Sequence, residues 1–143
     1  MIVASLETRG AIARYDEARD ILELHGAAKV PHWNRDTLAQ MLGRKRESVQ
    51  LYEGHVGGGF GTKLFPYREY ALAAVAAERT GKPVRWLCER SEHFLGDSHG
   101  RDNISTARLA VDNKGHFLAL DLDIVADMGA YLSCYAPYIP WLG

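Results

Sequence analysis

The sequence predicts an α+β protein in which a mixed β-sheet carries two helices. Three observations lead there. Residues 10–25 read as two short strands around an acidic turn, and residues 48–79 read as a strand, a glycine loop and a helix. Residues 102–127 read as two long strands around Asp112-Asn113-Lys114-Gly115, a good hairpin signal.

The elements follow in order. Gly10 to Tyr15 and Ile21 to His25 flank Asp16-Glu17-Ala18-Arg19-Asp20, the pattern of a hairpin with a longer loop. Pro31 precedes a short helix with Asn34 as expected N-cap, Leu38, Met41 and Leu42 inside, and Gly43 as stop. Ser48 to Tyr52 reads as a strand running into a glycine block. Pro66 suits the first turn of a second helix, where its missing N–H costs nothing. That helix, Glu69 to Arg79, presents Ala71, Ala74, Val75 and Ala77 and closes at Gly81; its alanines imply close approach of a neighbouring backbone. Pro83 to Cys88 is a buried-type strand, and the long hairpin comes last.

At 143 residues and 15.9 kDa, with 47% apolar and 24% charged residues, the chain can build a proper core. A net charge of −1 gives no nucleic-acid footprint and no polybasic membrane patch. No stretch reaches the roughly 18 apolar residues of a membrane span, and Glu7 and Arg9 interrupt the apolar start, so a signal peptide is not expected. Cys88 and Cys134 have no metal-type spacing and read as buried free thiols, which fits a reducing cytoplasm. Arg44-Lys45-Arg46 reads as a solvated helix end. Tyr67, Tyr70, Trp86 and Tyr131 read as core or buried interface. The uncharged stretch from Tyr131 to Gly143 is apolar and should pack on something. Residues 1–143 are therefore expected to be a single partial domain of a longer protein, with self-association through exposed apolar surface as a further expectation.

Chemistry concentrates at Gly57-Gly58-Gly59-Phe60-Gly61. Glycine loses the most backbone entropy on ordering, so such a cluster needs positive φ angles or a very close neighbour. A strand, glycine loop and helix also turn backbone N–H groups toward one spot, a general anion cradle. Thr62-Lys63-Leu64 excludes a P-loop, and Thr62 stands where the dinucleotide fingerprint needs a glycine. Two readings stay open on the residues alone, a tight turn without a ligand or a site for something anionic or planar with Phe60 as a wedge. His93, Asp97, His99 and Asp102 lie close in sequence, but without a recognisable third nitrogen or sulfur ligand they read as a polar loop, and no metal site is assigned.

Gly57 to Lys63, GGGFGTK, resembles the GGGFGxK signature of the large, molybdenum-binding subunits of xanthine dehydrogenases, aldehyde oxidases and carbon monoxide dehydrogenases. Leu6-Glu7-Thr8-Arg9 with residues 11–15, His25 to His32, Gly81 to Trp86 with Glu89 to His93, and Asp127 to Leu132 are similar to further family segments in the same order. The resemblance implies a molybdenum hydroxylase oxidising aldehydes, heterocycles or carbon monoxide with oxygen from water. It also implies a molybdopterin cofactor, often the cytosine dinucleotide form in bacteria, and iron–sulfur and flavin partners beside the rest of the same large subunit. Gly58, Gly59, Phe60 and Gly61 would line the cofactor. Lys29 stands where many members carry glutamine, and would either hold an oxo group or substrate carboxylate or remain a solvated strand-end residue. Leu64 stands where purine-oxidising members have glutamate, which argues against xanthine. The family's catalytic base belongs to a GxGE-like segment that these residues lack, so no catalytic residue is assigned; Glu53, Glu69, Glu89 and Glu92 read as a strand end, a helix face and a turn. The chain alone is expected to be inactive and to lack the cofactor. The reading from a different class is a stand-alone, non-catalytic binding or assembly module with the same fold.

Overall fold

The computed structural model describes residues 3–26, 29–100, 102–133 and 138. They fall into two compact units, one of residues Val3–Asp97 and one that holds the residues described from Ser98 onward.

In the first unit, β1 (Gly10–Asp16) pairs antiparallel with β2 (Ile21–Gly26), and β2 pairs parallel with β3 (Val49–Tyr52) across helix α1 (Pro31–Met41). Helix α2 (Arg68–Thr80) leads to β4 (Val84–Leu87), which joins the other edge of β1, giving the order β3-β2-β1-β4. The sheet is mixed, as the pattern predicts. Its register aligns Ala13 with Leu24 and Val84, and Leu24 with Leu51, so these side chains share one face. Ala11, Ala13, Leu24 and Val49 are buried there with Leu38 and Ala39 of α1 and Tyr70, Ala73 and Ala77 of α2. Alanine on both sides lets α2 sit close to the sheet, which leaves little room for any side chain larger by a methylene or two.

The helices differ from expectation in detail. A third helix, α3 (Arg90–Gly96), occupies a stretch read as turn and polar loop. It starts on a reciprocal capping box in which Glu89 takes the Glu92 backbone N–H and Glu92 takes that of Glu89. In α1 the N-cap is Val30, with Pro31 at the first helical position, so Asn34 is not the cap. Asn34 is buried inside the helix, where its Nδ2 donates to the Lys29 carbonyl at 2.7 Å. Pro31 cannot follow a helical residue, which puts the cap four residues earlier than the Asn signal suggests. Pro66 likewise stands before the α2 cap, Tyr67, rather than in its first turn. The buried face of α2 is Tyr70, Ala73, Ala74 and Ala77, with Ala71 and Val75 only half-buried. Gly43 and Gly81 end α1 and α2 at φ +63°, as expected.

Arg44 is not a solvated helix-end cation. Its side chain is largely enclosed and ties α1 to the β1–β2 turn through Asp20 and to α2 through Glu78 at 2.7 Å. Cys88 is a buried free thiol; Cys134 and most of the apolar stretch after Ser133 lie outside the described residues, as do Ala27 and Ala28.

In the second unit, β5 (Asn103–Val111) and β6 (Phe117–Ala126) form the expected antiparallel hairpin, with Gly115 at φ +83° and one register shift at Ala110/Val111. One face aligns Ala107 with Leu122 and Leu109 with Leu120, and the other carries the Arg108–Asp121 pair. Every residue of β5 is exposed. Tyr131 is 91% exposed, against its expected burial.

Candidate functional site

β3 ends at Tyr52, and the chain then crosses to α2 through the glycine block and a short 3-10 turn, Thr62–Leu64. Gly58 and Gly61 adopt φ +99° and +96°, which L side chains rarely reach, and Phe60 itself sits left-handed at φ +48°. A Cβ on Gly57 would stand 2.5 Å from the Cβ of Glu7, and one on Gly58 would stand 2.9 Å from the Phe60 ring. Gly57 is therefore required by space, Gly58 by its dihedral with crowding from Ser5 and the Phe60 ring added, and Gly61, with nothing within 4 Å, by its dihedral alone.

Among the described residues the N–H groups of Gly58, Gly59, Phe60 and Gly61 find no protein acceptor, while the next residue, Thr62, closes back on the Gly59 carbonyl by both its N–H and its hydroxyl at 2.9 Å. The loop thus offers consecutive unpartnered donors on bare backbone, the arrangement that binds anions. The Phe60 ring is 74% exposed and folds back over Gly58.

Two charged residues brace the loop. The Lys63 side chain is 1% exposed and its Nζ lies 2.6 Å from Glu7 Oε2. The same oxygen accepts the Gly57 N–H at 2.8 Å, and the Glu7 N–H returns a bond to the Gly57 carbonyl at 3.2 Å. Partial burial works to raise the Glu7 carboxyl, but the bonds from Lys63 and Gly57 outweigh it and hold the group below its ordinary range. Lys29 comes to the same place: its N–H donates to the Lys63 carbonyl at 3.0 Å, and its exposed ammonium has no partner among the described residues. Next to it Val30 is held at φ +54°, an uncommon conformation for a β-branched residue.

Glu7 belongs to a segment fastened along its length. Arg90 Nη2 donates to the carbonyls of Ser5 at 2.6 Å and Leu6 at 2.9 Å, and the Thr8 hydroxyl donates to Cys88 O at 2.6 Å. Arg9, fully buried, pairs through Nε with Asp97 and through Nη1 with Glu69 at 3.3 Å, under the Tyr67 ring at 3.7 Å. Burial alone would lower the Arg9 pKa, but Asp97 and then Glu69 more than offset it and raise it. His93 Nε2 meets Val3 O at 3.0 Å, and its Nδ1 lies 2.7 Å from Asp97 Oδ2. His93 and Asp97 are therefore interior supports and not loop residues, and no cluster of metal-ligating side chains forms among the described residues. A groove of 440 Å³ on the open face of the sheet runs past His25, Tyr52, His55 and Arg85 to Glu7; His25 and Tyr52 stack in it at 4.6 Å.

This glycine cradle lies within a chain that matches, over residues 1–143, the family of molybdopterin cofactor-binding domains. The chain belongs to that family. It is 34% identical over 94% of its length to the 6-hydroxypseudooxynicotine dehydrogenase complex subunit gamma of Paenarthrobacter nicotinovorans. It is 33% identical over 92% to the carbon monoxide dehydrogenase large chain of Hydrogenophaga pseudoflava. It spans 17% and 16% of those proteins. Among solved structures, quinoline 2-oxidoreductase from Pseudomonas putida 86 matches with a TM-score of 0.79 and 35% identity, over 87% of this chain and 16% of that one.

For a molybdopterin-binding domain the donor set fits: an anionic group needs donors on backbone that no Cβ obstructs, and residues 58–61 supply them. Lys29 reaches the end of this loop through the bond of its N–H to the Lys63 carbonyl. Sequence reading missed the work of Glu7, Lys63, Arg9 and Asp97. Glu7 and Arg9 stood in a recognised segment, but only their partners, 56 and 88 residues away, show what they do.

Proposed function

We propose that this chain forms the glycine-loop wall of the molybdopterin site in a molybdenum hydroxylase large subunit that oxidises aldehyde, heterocycle or carbon monoxide-type substrates. The observation that carries the reading is the run of unpartnered N–H groups, among the described residues, at Gly58, Gly59, Phe60 and Gly61 on a loop where a Cβ at Gly57 would strike Glu7 and where Gly58 and Gly61 hold positive φ. Those donors would hold anionic groups of the cofactor, Phe60 would shape the cavity wall, and the Lys29 ammonium would hold a further negative charge at its edge. When bound, the cofactor supplies the two-electron oxidation with oxygen taken from water. The residues of this chain orient and hold. None of them is assigned as the base, so turnover belongs to the assembled protein, with the rest of the large subunit and with iron–sulfur and flavin partners as electron acceptors in the cytoplasm. No described helix is long and apolar enough to cross a membrane.

The test is to purify the full large subunit containing this sequence with its partner subunits, measure molybdenum and pterin, and assay candidate substrates in ¹⁸O-labelled water. Bound molybdenum with label in the product supports the reading. A protein without molybdenum overturns it, and so does aldehyde or heterocycle oxidation by the 143-residue chain alone.

A further inference from the structure

We infer that Glu7 and Lys63 are positioning residues for the cofactor-facing loop, a staple that joins its first residue to its last and keeps the donors between them aimed outward. This rests on the functional reading above and deepens it. Gly57 opens the loop and Lys63 closes it, and one carboxylate oxygen, Glu7 Oε2, meets the N–H of the first at 2.8 Å and the ammonium of the second at 2.6 Å. The reciprocal bond from the Glu7 N–H to the Gly57 carbonyl makes the first attachment two-point.

Lys63 is a poor candidate for a residue that meets the ligand itself. Its side chain is 1% exposed, and among the described residues its charge partner is Glu7. A buried ammonium is retained only where a counter-charge and hydrogen bonds compensate for lost water. Glu7 is the more accessible member, 41% exposed, yet its backbone is fastened on both sides. Ser5 Oγ donates to the Glu7 carbonyl at 2.7 Å, Arg90 holds the two preceding carbonyls, and Thr8 and Arg9 anchor the following residues on Cys88 and Asp97. The staple therefore transfers the rigidity of α3 and its surroundings to a glycine loop that has little stiffness of its own. Donors held this way need no reorganisation when an anion arrives, the condition under which backbone N–H groups are most effective. Pairing also cancels the lysine charge, so the loop meets its ligand with dipoles and not with a cation.

The test uses the full large subunit with its partner subunits and compares wild type with Glu7→Gln, Lys63→Met and the double variant Glu7→Gln/Lys63→Met. Two readouts are taken: hydrogen exchange of the peptide covering residues 57–63, in protein stripped of cofactor and in loaded protein, and molybdenum retained per chain after dialysis. The double variant leaves no buried charge unpaired, so it keeps the proposal testable if Glu7→Gln alone fails to fold. The expected result is exchange about tenfold faster at the hydrogen-bonded amides of this peptide, Gly57 and Thr62, unchanged exchange in residues 103–126, and reduced molybdenum retention. Unchanged loop exchange in the folded double variant overturns the proposal, and so does molybdenum loss without faster loop exchange, which would mean direct contact. If the wild-type protein holds no molybdenum, the functional reading fails while exchange in the stripped protein still decides the staple.

Discussion

Asp97→Ala is the sharpest stability test of the interior that carries the site. Asp97 is fully buried, pairs with the Nε of Arg9 and has His93 Nδ1 at 2.7 Å. Arg9 is also fully enclosed, and its Nη2 has no hydrogen-bond partner among the described residues. Truncating Asp97 leaves a guanidinium inside the protein with Glu69 at 3.3 Å and the Tyr67 ring face at 3.7 Å as remaining support. Removing one side of a buried pair costs about 3–5 kcal/mol, and the remaining support places this case near 3. For a unit of this size that lowers Tm by roughly 12–24 °C. The assay is urea unfolding followed by tryptophan fluorescence, with Trp86, 5.3 Å from the Arg9 guanidinium, as a local reporter. Arg9→Met/Asp97→Ala removes both charges and should be less destabilised than Asp97→Ala by about 1 kcal/mol or more. A loss below about 1 kcal/mol for the single variant, or strict additivity in the double, would refute the claim that Arg9 depends on Asp97.

Three further outcomes are expected. Gly58→Ala should destabilise more than Gly61→Ala, because both distort a positive φ, costing about 1–2 kcal/mol, but only Gly58 also meets the Phe60 ring and Ser5; paired urea melts check this. Phe60→Asn should leave stability within about 1 kcal/mol, since the ring is 74% exposed and Asn accepts the left-handed backbone, while lowering activity of the assembled enzyme; equal activity would remove Phe60 from the cavity wall. Burial pushes the Cys88 thiol up to about 11, so little thiolate exists at pH 8 and alkylation should be slow in the native protein and rapid in urea, with mass spectrometry of the Cys88 peptide as the readout.

What the sequence made legible is what local chemistry determines. Gly43 and Gly81 as helix stops and Asp112 to Gly115 as a turn depend on neighbours only, and all appear where the pattern places them. The glycine block was equally plain, because few purposes require that much bare backbone. Helix α3 was not, since seven residues carry weak periodicity and its cap comes from Glu89 and Glu92, which also suit a polar turn. Asn34 misled for a related reason: an Asn near a helix start signals a cap, but Pro31 takes the first position and turns Asn34 inward to brace Lys29. The burial of His93 and Asp97 was beyond sequence because Arg9, the charge partner of Asp97, lies at the other end of the unit.

Time adds a consequence to those distances. The bond from Glu7 to Lys63 spans 56 residues, that from Arg90 to Ser5 85, and that from Arg9 to Asp97 88. On a growing chain the glycine block leaves the ribosome some thirty residues before the helix that steadies its brace, and contacts so far apart in sequence form late. The loop therefore passes through a period in which its residues are complete and its shape is not. A ligand that needs the shaped loop therefore finds it only once residue 97 has been made and packed.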